Sequence, residues 1–250
     1  MFDSWLTLNR LPLLILAALW AALLFGGFIL GKRWDDGTRR MPVWTRMASS
    51  FVLVLAAWYW IFLSYDNSAI RYALPVAFGM TLGFFGDQFM AKLITNSEHY
   101  VLGGISAFGL GHIAYIVAFV GFGDLIGATN YRVEAWLGWL VIGVIGWYLA
   151  VFRGQTKRTA LHYAALPYAL LLSSTAGFAT GLALNYVAYA PLALGCALFL
   201  LSDLLLAARL FNGLTFRYID DLVWLLYGPA QMLIVYSVGV AVIQSQALIV

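Results

Sequence analysis

Long apolar runs alternate with short polar segments along the whole chain, and each run is about the 20 residues a helix needs to cross a bilayer core. Hydropathy places spans near residues 11–31, 47–64, 72–94, 101–123, 133–153, 160–183, 186–209 and 220–244. The connections are short and leave no room for a separate soluble domain, so residues 1–250 read as a single polytopic transmembrane domain. Pro75, Pro167, Pro191 and Pro229 fall inside spans. Membrane helices tolerate them because neighbours satisfy the freed backbone groups, so they are expected to mark kinks.

Composition agrees with that pattern. Hydrophobic residues make up 63% of the chain and charged residues 10%, against roughly 25% charged in soluble proteins. A water-soluble fold of this size could not cover its surface with so few charges. The expected class is therefore an all-α integral membrane protein with about eight transmembrane helices. The first run ends in Gly31-Lys32-Arg33 and is too long for a signal core, so it reads as a span and not as a cleavable signal.

Loop charge gives an orientation. The ends of spans one, three, five and seven carry Lys32, Arg33, Arg39, Arg40, Arg46, Lys92, Arg153, Lys157, Arg158, Arg209 and Arg217, whereas the other side has only Arg10, Arg71 and Arg132. The positive-inside rule makes the first side cytoplasmic and puts both termini opposite. A plasma (inner) membrane location is expected. Trp58-Tyr59-Trp60 and Tyr186/Tyr189 suit interfacial belts. The scattered basic residues point to no nucleic-acid partner. The lone Cys196 excludes an intrachain disulfide, and without an HxxxH or HExxH pattern neither a metal nor a cofactor is expected.

Polar residues inside the spans carry the chemistry. Ser173, Ser174 and Thr175 in span six are read as helix-packing groups, and His99 and His162, near span ends, as interfacial. Spans three, four, seven and eight hold Asp87, His112, Asp203, and the pair Tyr227 and Gln231. A carboxylate at the bilayer centre costs about 2.5–3.5 kcal/mol on insertion scales, so it normally faces the bundle interior with a partner. Aligning the two aspartates lays Gly86-Asp87 over Ser202-Asp203, each followed four positions later by alanine and then by Lys92 or Arg209. His112 and Tyr115 follow Asp87 by 25 and 28 residues, and Tyr227 and Gln231 follow Asp203 by 24 and 28. Spans three and four are thus echoed by seven and eight, which suggests an internal four-helix repeat. At 1.5 Å per residue, each carboxyl lies about 8–9 Å inside its helix end. This describes a pocket open to the cytoplasmic leaflet, polar at glycerol depth and apolar beyond. Gly79, Gly83, Gly103 and Gly104 permit close helix packing, within a chain or between chains.

Gly86-Asp87, Gly111-His112-Ile113-Ala114-Tyr115, Ser202-Asp203-Leu204-Leu205-Leu206-Ala207 and Tyr227-Gly228-Pro229-Ala230-Gln231 together resemble the YhhN-like lysoplasmalogenase family, over roughly residues 70 to 240. Gln88-Phe89-Met90 departs from the more aliphatic run expected there. The resemblance implies a membrane-embedded hydrolase with a lysophospholipid substrate among membrane lipids. Such an enzyme cleaves the vinyl ether bond of lysoplasmalogens to a fatty aldehyde and a glycerophospho-amino alcohol. The resemblance also implies that Asp87 and Asp203 are the matching catalytic positions.

The residues suit that chemistry. Vinyl ether cleavage needs a carboxylic acid to protonate carbon and a carboxylate to stabilise the oxocarbenium ion and activate water. Two carboxyls sharing a low-dielectric site titrate apart and can divide those roles, as in glycosidases. His112, Tyr115, Tyr227 and Gln231 are candidate substrate-binding or orienting groups. Lys92, Arg209 and Arg217 can meet a lipid phosphate or simply set topology. Paired intramembrane aspartates also relay protons, so a proton-coupled transporter or lipid carrier is the alternative from another class. A retinal photoreceptor is disfavoured because the last spans lack a lysine for a Schiff base.

Overall fold

A computed structural model describes residues 2–97, 99–153 and 159–247. Lys157 and Arg158, counted above in a basic loop, lie outside the described residues. Among the described residues the chain is helical throughout, with no strand. The helices are α1 (Phe2–Leu30), α2 (Val43–Ser64), α3 (Ile70–Met90), α4 (Tyr100–Leu125), α5 (Arg132–Trp147), α6 (Ala160–Asn185), α7 (Ala190–Asn212), α8 (Ile219–Tyr236) and α9 (Val238–Ala247). A π turn, Tyr148–Phe152, continues α5. The fold is that of a multi-pass all-α membrane protein.

The apolar surface faces outward. On α5, Val133, Leu137, Val141 and Ile145 are all exposed. Their spacing forms a stripe that only lipid would cover. The interior combines large aromatic side chains, such as Tyr72, Phe119, Phe122 and Phe199, with small and polar ones. Among the described residues seven of the expected spans are long and apolar enough to cross a membrane, and α3 is not one of them. One face of α3 is fully buried, with Tyr72, Ala73, Val76, Ala77 and Met80, while Leu74, Phe78 and Phe85 are exposed.

Several boundaries differ from the sequence reading. α1 extends from Phe2, beyond the apolar span Arg10–Leu30 that matches the expected 11–31. α2 begins at Val43, four residues before the expected 47, which brings Arg46 into its first turn. The last span is divided at Ser237 into α8 and α9. Two belt residues lie inside the bundle: Tyr189 is fully buried and Trp60 nearly so. Tyr189 packs on Tyr72, and Trp60 meets Tyr236 edge to face. His162 is buried in the first turn of α6, at the span end where the sequence puts it. Its Nδ1 accepts from the backbone N–H of Thr159, closing a capping box at the start of α6.

Packing follows the repeat. α1 pairs with α2, α3 with α4, α5 with α6, and α7 with α8. α2 also packs on α3 and α8, while its counterpart α6 packs on α7 and α4. Gly79 and Gly195, each eight residues before an aspartate, mark the matching close approaches. A Cβ on Gly79 would fall 3.0 Å from the Gly111 carbonyl, and one on Gly195 would fall 3.0 Å from that of Ala230.

Two loops close the basic end. The Asp221 carboxylate accepts from the backbone N–H groups of Arg40 (2.6 Å) and Met41 (2.9 Å). Backbone bonds from Tyr218 to Gly37 and from Asp220 to Thr38 tie the α1–α2 loop to the α7–α8 loop. α7 itself stops at Gly213, whose φ of +66° suits a residue without a Cβ. Asp36, Thr38 and Arg39 of the strap formed by the two loops line the same cavity as Asp87 and Asp203.

Candidate active site

Asp87 lies in the last turn of α3 and is almost fully buried (3% exposed). Its Oδ2 accepts from Ser50 Oγ on α2 (2.5 Å) and from Tyr227 OH on α8 (3.1 Å). Tyr227 OH accepts in turn from Gln231 Nε2 (3.1 Å), and Gln231 Oε1 accepts from Tyr115 OH on α4 (2.8 Å). These groups form one relay, Tyr115 to Gln231 to Tyr227 to Asp87, with every donor directed towards the carboxyl. Glycines make room for it. A Cβ on Gly83 would meet Gln231 Nε2 at 2.8 Å, and one on Gly86 would meet the Phe108 ring at 2.7 Å.

Asp203 lies on α7 and is half-buried. Its Oδ2 accepts from Tyr168 OH on α6. Its Oδ1 accepts from Ser202 Oγ (3.2 Å), whose single proton is also directed at the Phe199 carbonyl (2.8 Å), so this second donor is shared.

Both aspartates line one cavity of about 630 Å³ at the basic end of the bundle. Tyr227, Phe108 and Trp224 wall its inner part, and Arg39, Arg46, Lys92 and Arg209 bring positive charge to it. Arg209 is neutralised by an ion pair with Asp220. Asp36 stands exposed at the mouth, where the Thr38 backbone N–H (2.9 Å) and hydroxyl hold its carboxyl below the usual carboxylate range. From Asp203 a narrow apolar groove continues between α4, α6 and α7, lined by Val101, Ile105, Ala169, Leu172, Leu200 and Leu204. The carboxyl pair therefore sits where a polar chamber meets an apolar slot.

The remaining candidates divide. Tyr227 reaches the cavity. Gln231 and Tyr115 are buried behind it and do not line it, so they orient Tyr227. His112 is also buried away from the cavity. Its Nδ1 is 3.0 Å from Thr175 Oγ, and Thr175 donates to the Leu171 carbonyl, so Nδ1 is the protonated nitrogen of His112. Its ring packs edge-on against Phe199 at 4.5 Å. Of the basic residues considered for phosphate, Lys92 stays at the exposed rim over Tyr100. Arg217 is outside the cavity, bonded to Tyr218. Sequence reasoning missed Ser50, Tyr168, Arg46 and Trp224. Among the described residues no group of three or more His, Cys, Asp or Glu could hold a metal ion.

The family model described as the YhhN family matches residues 41–238, a stretch that begins just before α2 and includes both aspartates and all their hydrogen-bond partners. No curated protein and no solved structure matches the chain.

Proposed function

The chain belongs to the YhhN family, and from that premise we propose that it is a membrane-embedded hydrolase that cleaves the vinyl ether bond of a lysoplasmalogen. The observation carrying this reading is the junction at Asp203. A polar cavity holding two carboxyls meets an apolar groove there. A single-chain lipid needs that division, with glycerol and head group in the chamber, alkenyl chain in the groove, and the enol ether between.

The hydrogen bonds favour a division of labour. Asp87 receives two donors on one oxygen and stands at the end of a relay directed towards it, which suits a carboxylate. Asp203 has the weaker second donor, a Ser202 hydroxyl that it shares with the Phe199 carbonyl, which suits the acid. Asp203 delivers its proton to the β-carbon of the vinyl ether, and the ether oxygen shares the resulting positive charge. Asp87 stabilises that oxocarbenium ion, then takes a proton from the water that adds to the adjacent carbon. The hemiacetal collapses as its hydroxyl proton returns to Asp203 and Asp87 protonates the departing glycerol oxygen. One water is consumed, one aldehyde and one alcohol form, and both carboxyls regain their starting states.

On the same reading the basic end faces the cytoplasm, as the charge bias of the loops favours, and the membrane is the plasma (inner) membrane. Substrate then reaches the aspartates from the cytoplasmic leaflet. Purified protein incubated with a lysoplasmalogen should release free fatty aldehyde and leave the matching ester lysolipid intact. Loss of the ester lipid instead would redirect the assignment to a lysophospholipase. Binding without aldehyde release would favour a lipid carrier.

A further inference from the structure

Arg46 is a cavity cation within electrostatic reach of Asp221 and Asp87 that still has one donor left unused. α2 carries it into the bundle in its first turn, and its Nε is buried without a hydrogen-bond partner. Its guanidinium lies 5.4 Å from the ring centroid of Trp224, which meets Tyr227 edge to face at 5.3 Å. The other cavity cations differ. Arg209 is paired with Asp220, Lys92 is exposed, and Arg39 stacks on Trp34 at 3.6 Å. A half-buried guanidinium with an unused donor, held by an aromatic face, is arranged to accept an oxyanion.

Its register fixes where that oxyanion would lie. Ser50, four residues on and on the same face of α2, donates to Asp87. Arg46 is therefore about one turn, ~6 Å along the axis, nearer the cavity mouth than the Ser50–Asp87 contact. A glycerol backbone spans a comparable distance between an ether oxygen and a phosphorus. We infer that Arg46 binds the phosphodiester of a lysophospholipid and so sets the reacting bond at the level of the aspartates. This rests on the lipid-hydrolase reading for the identity of the lipid, but the binding event needs no chemistry. Asp36, anionic at the mouth, completes the match by facing the amine of a zwitterionic head group.

The test is equilibrium binding of a radiolabelled saturated alkyl-ether lysophosphoethanolamine, which lacks the cleavable double bond, to the full-length protein in detergent. Competitors are the unlabelled lipid, the 1-alkylglycerol without phosphate, and glycerophosphoethanolamine without a chain. Wild type should bind the phospholipid about tenfold or more tighter than the alkylglycerol, the scale of a hydrogen bond to a charged group. Arg46→Gln should erase that difference and Arg46→Lys should keep part of it, while Arg33→Gln, outside the cavity, should change nothing. An Arg46→Gln protein that is monodisperse and binds the phospholipid like wild type overturns the inference. If that variant does not purify as a monodisperse species, unchanged affinity in Arg46→Lys overturns it equally. Competition by glycerophosphoethanolamine as strong as by the lipid would assign the site to a soluble phosphodiester and overturn the lipid assignment. Arg46-dependent binding with no aldehyde from any vinyl ether would refute the hydrolase reading and leave this one standing.

Discussion

Tyr115 and Gln231 each follow an aspartate by 28 residues, and the two side chains are hydrogen-bonded to each other at 2.8 Å. Matching positions of the two halves therefore meet across the bundle, and their contact is the first link of the relay that ends on Asp87. The alignment of the two segments thus corresponds to a contact in the fold. That contact brings the halves together at the residues that orient the site.

That pairing predicts strong coupling. Tyr115→Phe removes the donor, and Gln231→Leu leaves the buried Tyr115 hydroxyl without an acceptor, which costs about 1–3 kcal/mol. Thermal unfolding in detergent should show a larger loss for Gln231→Leu than for Tyr115→Phe. The double variant should be no less stable than Gln231→Leu alone. Additive losses would mean that the two side chains act independently.

Tyr168 donates to Asp203 from α6, as Ser50 donates to Asp87 from α2. Tyr168→Phe keeps the ring and removes that donor. Asp203 becomes a carboxylate as it gives up its proton, and a hydrogen bond to a charged group is worth about 1.5–3 kcal/mol. Turnover should therefore fall roughly 10- to 100-fold, with KM for the lipid little changed. The readout is the rate of aldehyde release at saturating substrate, and wild-type turnover would remove Tyr168 from the site.

The apolar groove should hold the first part of the alkenyl chain. Ala169→Phe fills it from the α6 side. Excluding two methylenes at about 0.8 kcal/mol each should raise KM for a long-chain lysoplasmalogen by about 10- to 20-fold. A short-chain vinyl ether analogue should be much less affected. Equal effects on both substrates would place the chain elsewhere.

How legible this was from sequence depended on the residue. Asp87 and Asp203 announced themselves because a carboxyl in an apolar run is expensive and demands a reason. Tyr227 and Gln231 emerged from their spacing after Asp203. Ser50 and Tyr168 did not, because hydroxyls are cheap in membrane helices and usually only pack. Spacing held a signal for them as well, since they precede their aspartates by 37 and 35 residues on matching helices. Arg46 was mistaken for a loop charge because hydropathy started α2 four residues late, and a charged first turn lowers hydropathy without breaking a helix. His112 stood out as a lone intramembrane histidine. Its partner Thr175 is 63 residues away, and only the α4–α6 contact reveals that the ring is held inside the bundle, away from the cavity.

The division of work between the aspartates is tested most directly by measuring aldehyde release from a lysoplasmalogen by wild type, Asp87→Asn and Asp203→Asn, each shown to be folded and monodisperse. General acid–base contributions are typically about 10²- to 10⁴-fold, so each variant should lose at least about 10²-fold in turnover. Turnover near wild type in either variant would contradict the two-carboxyl account.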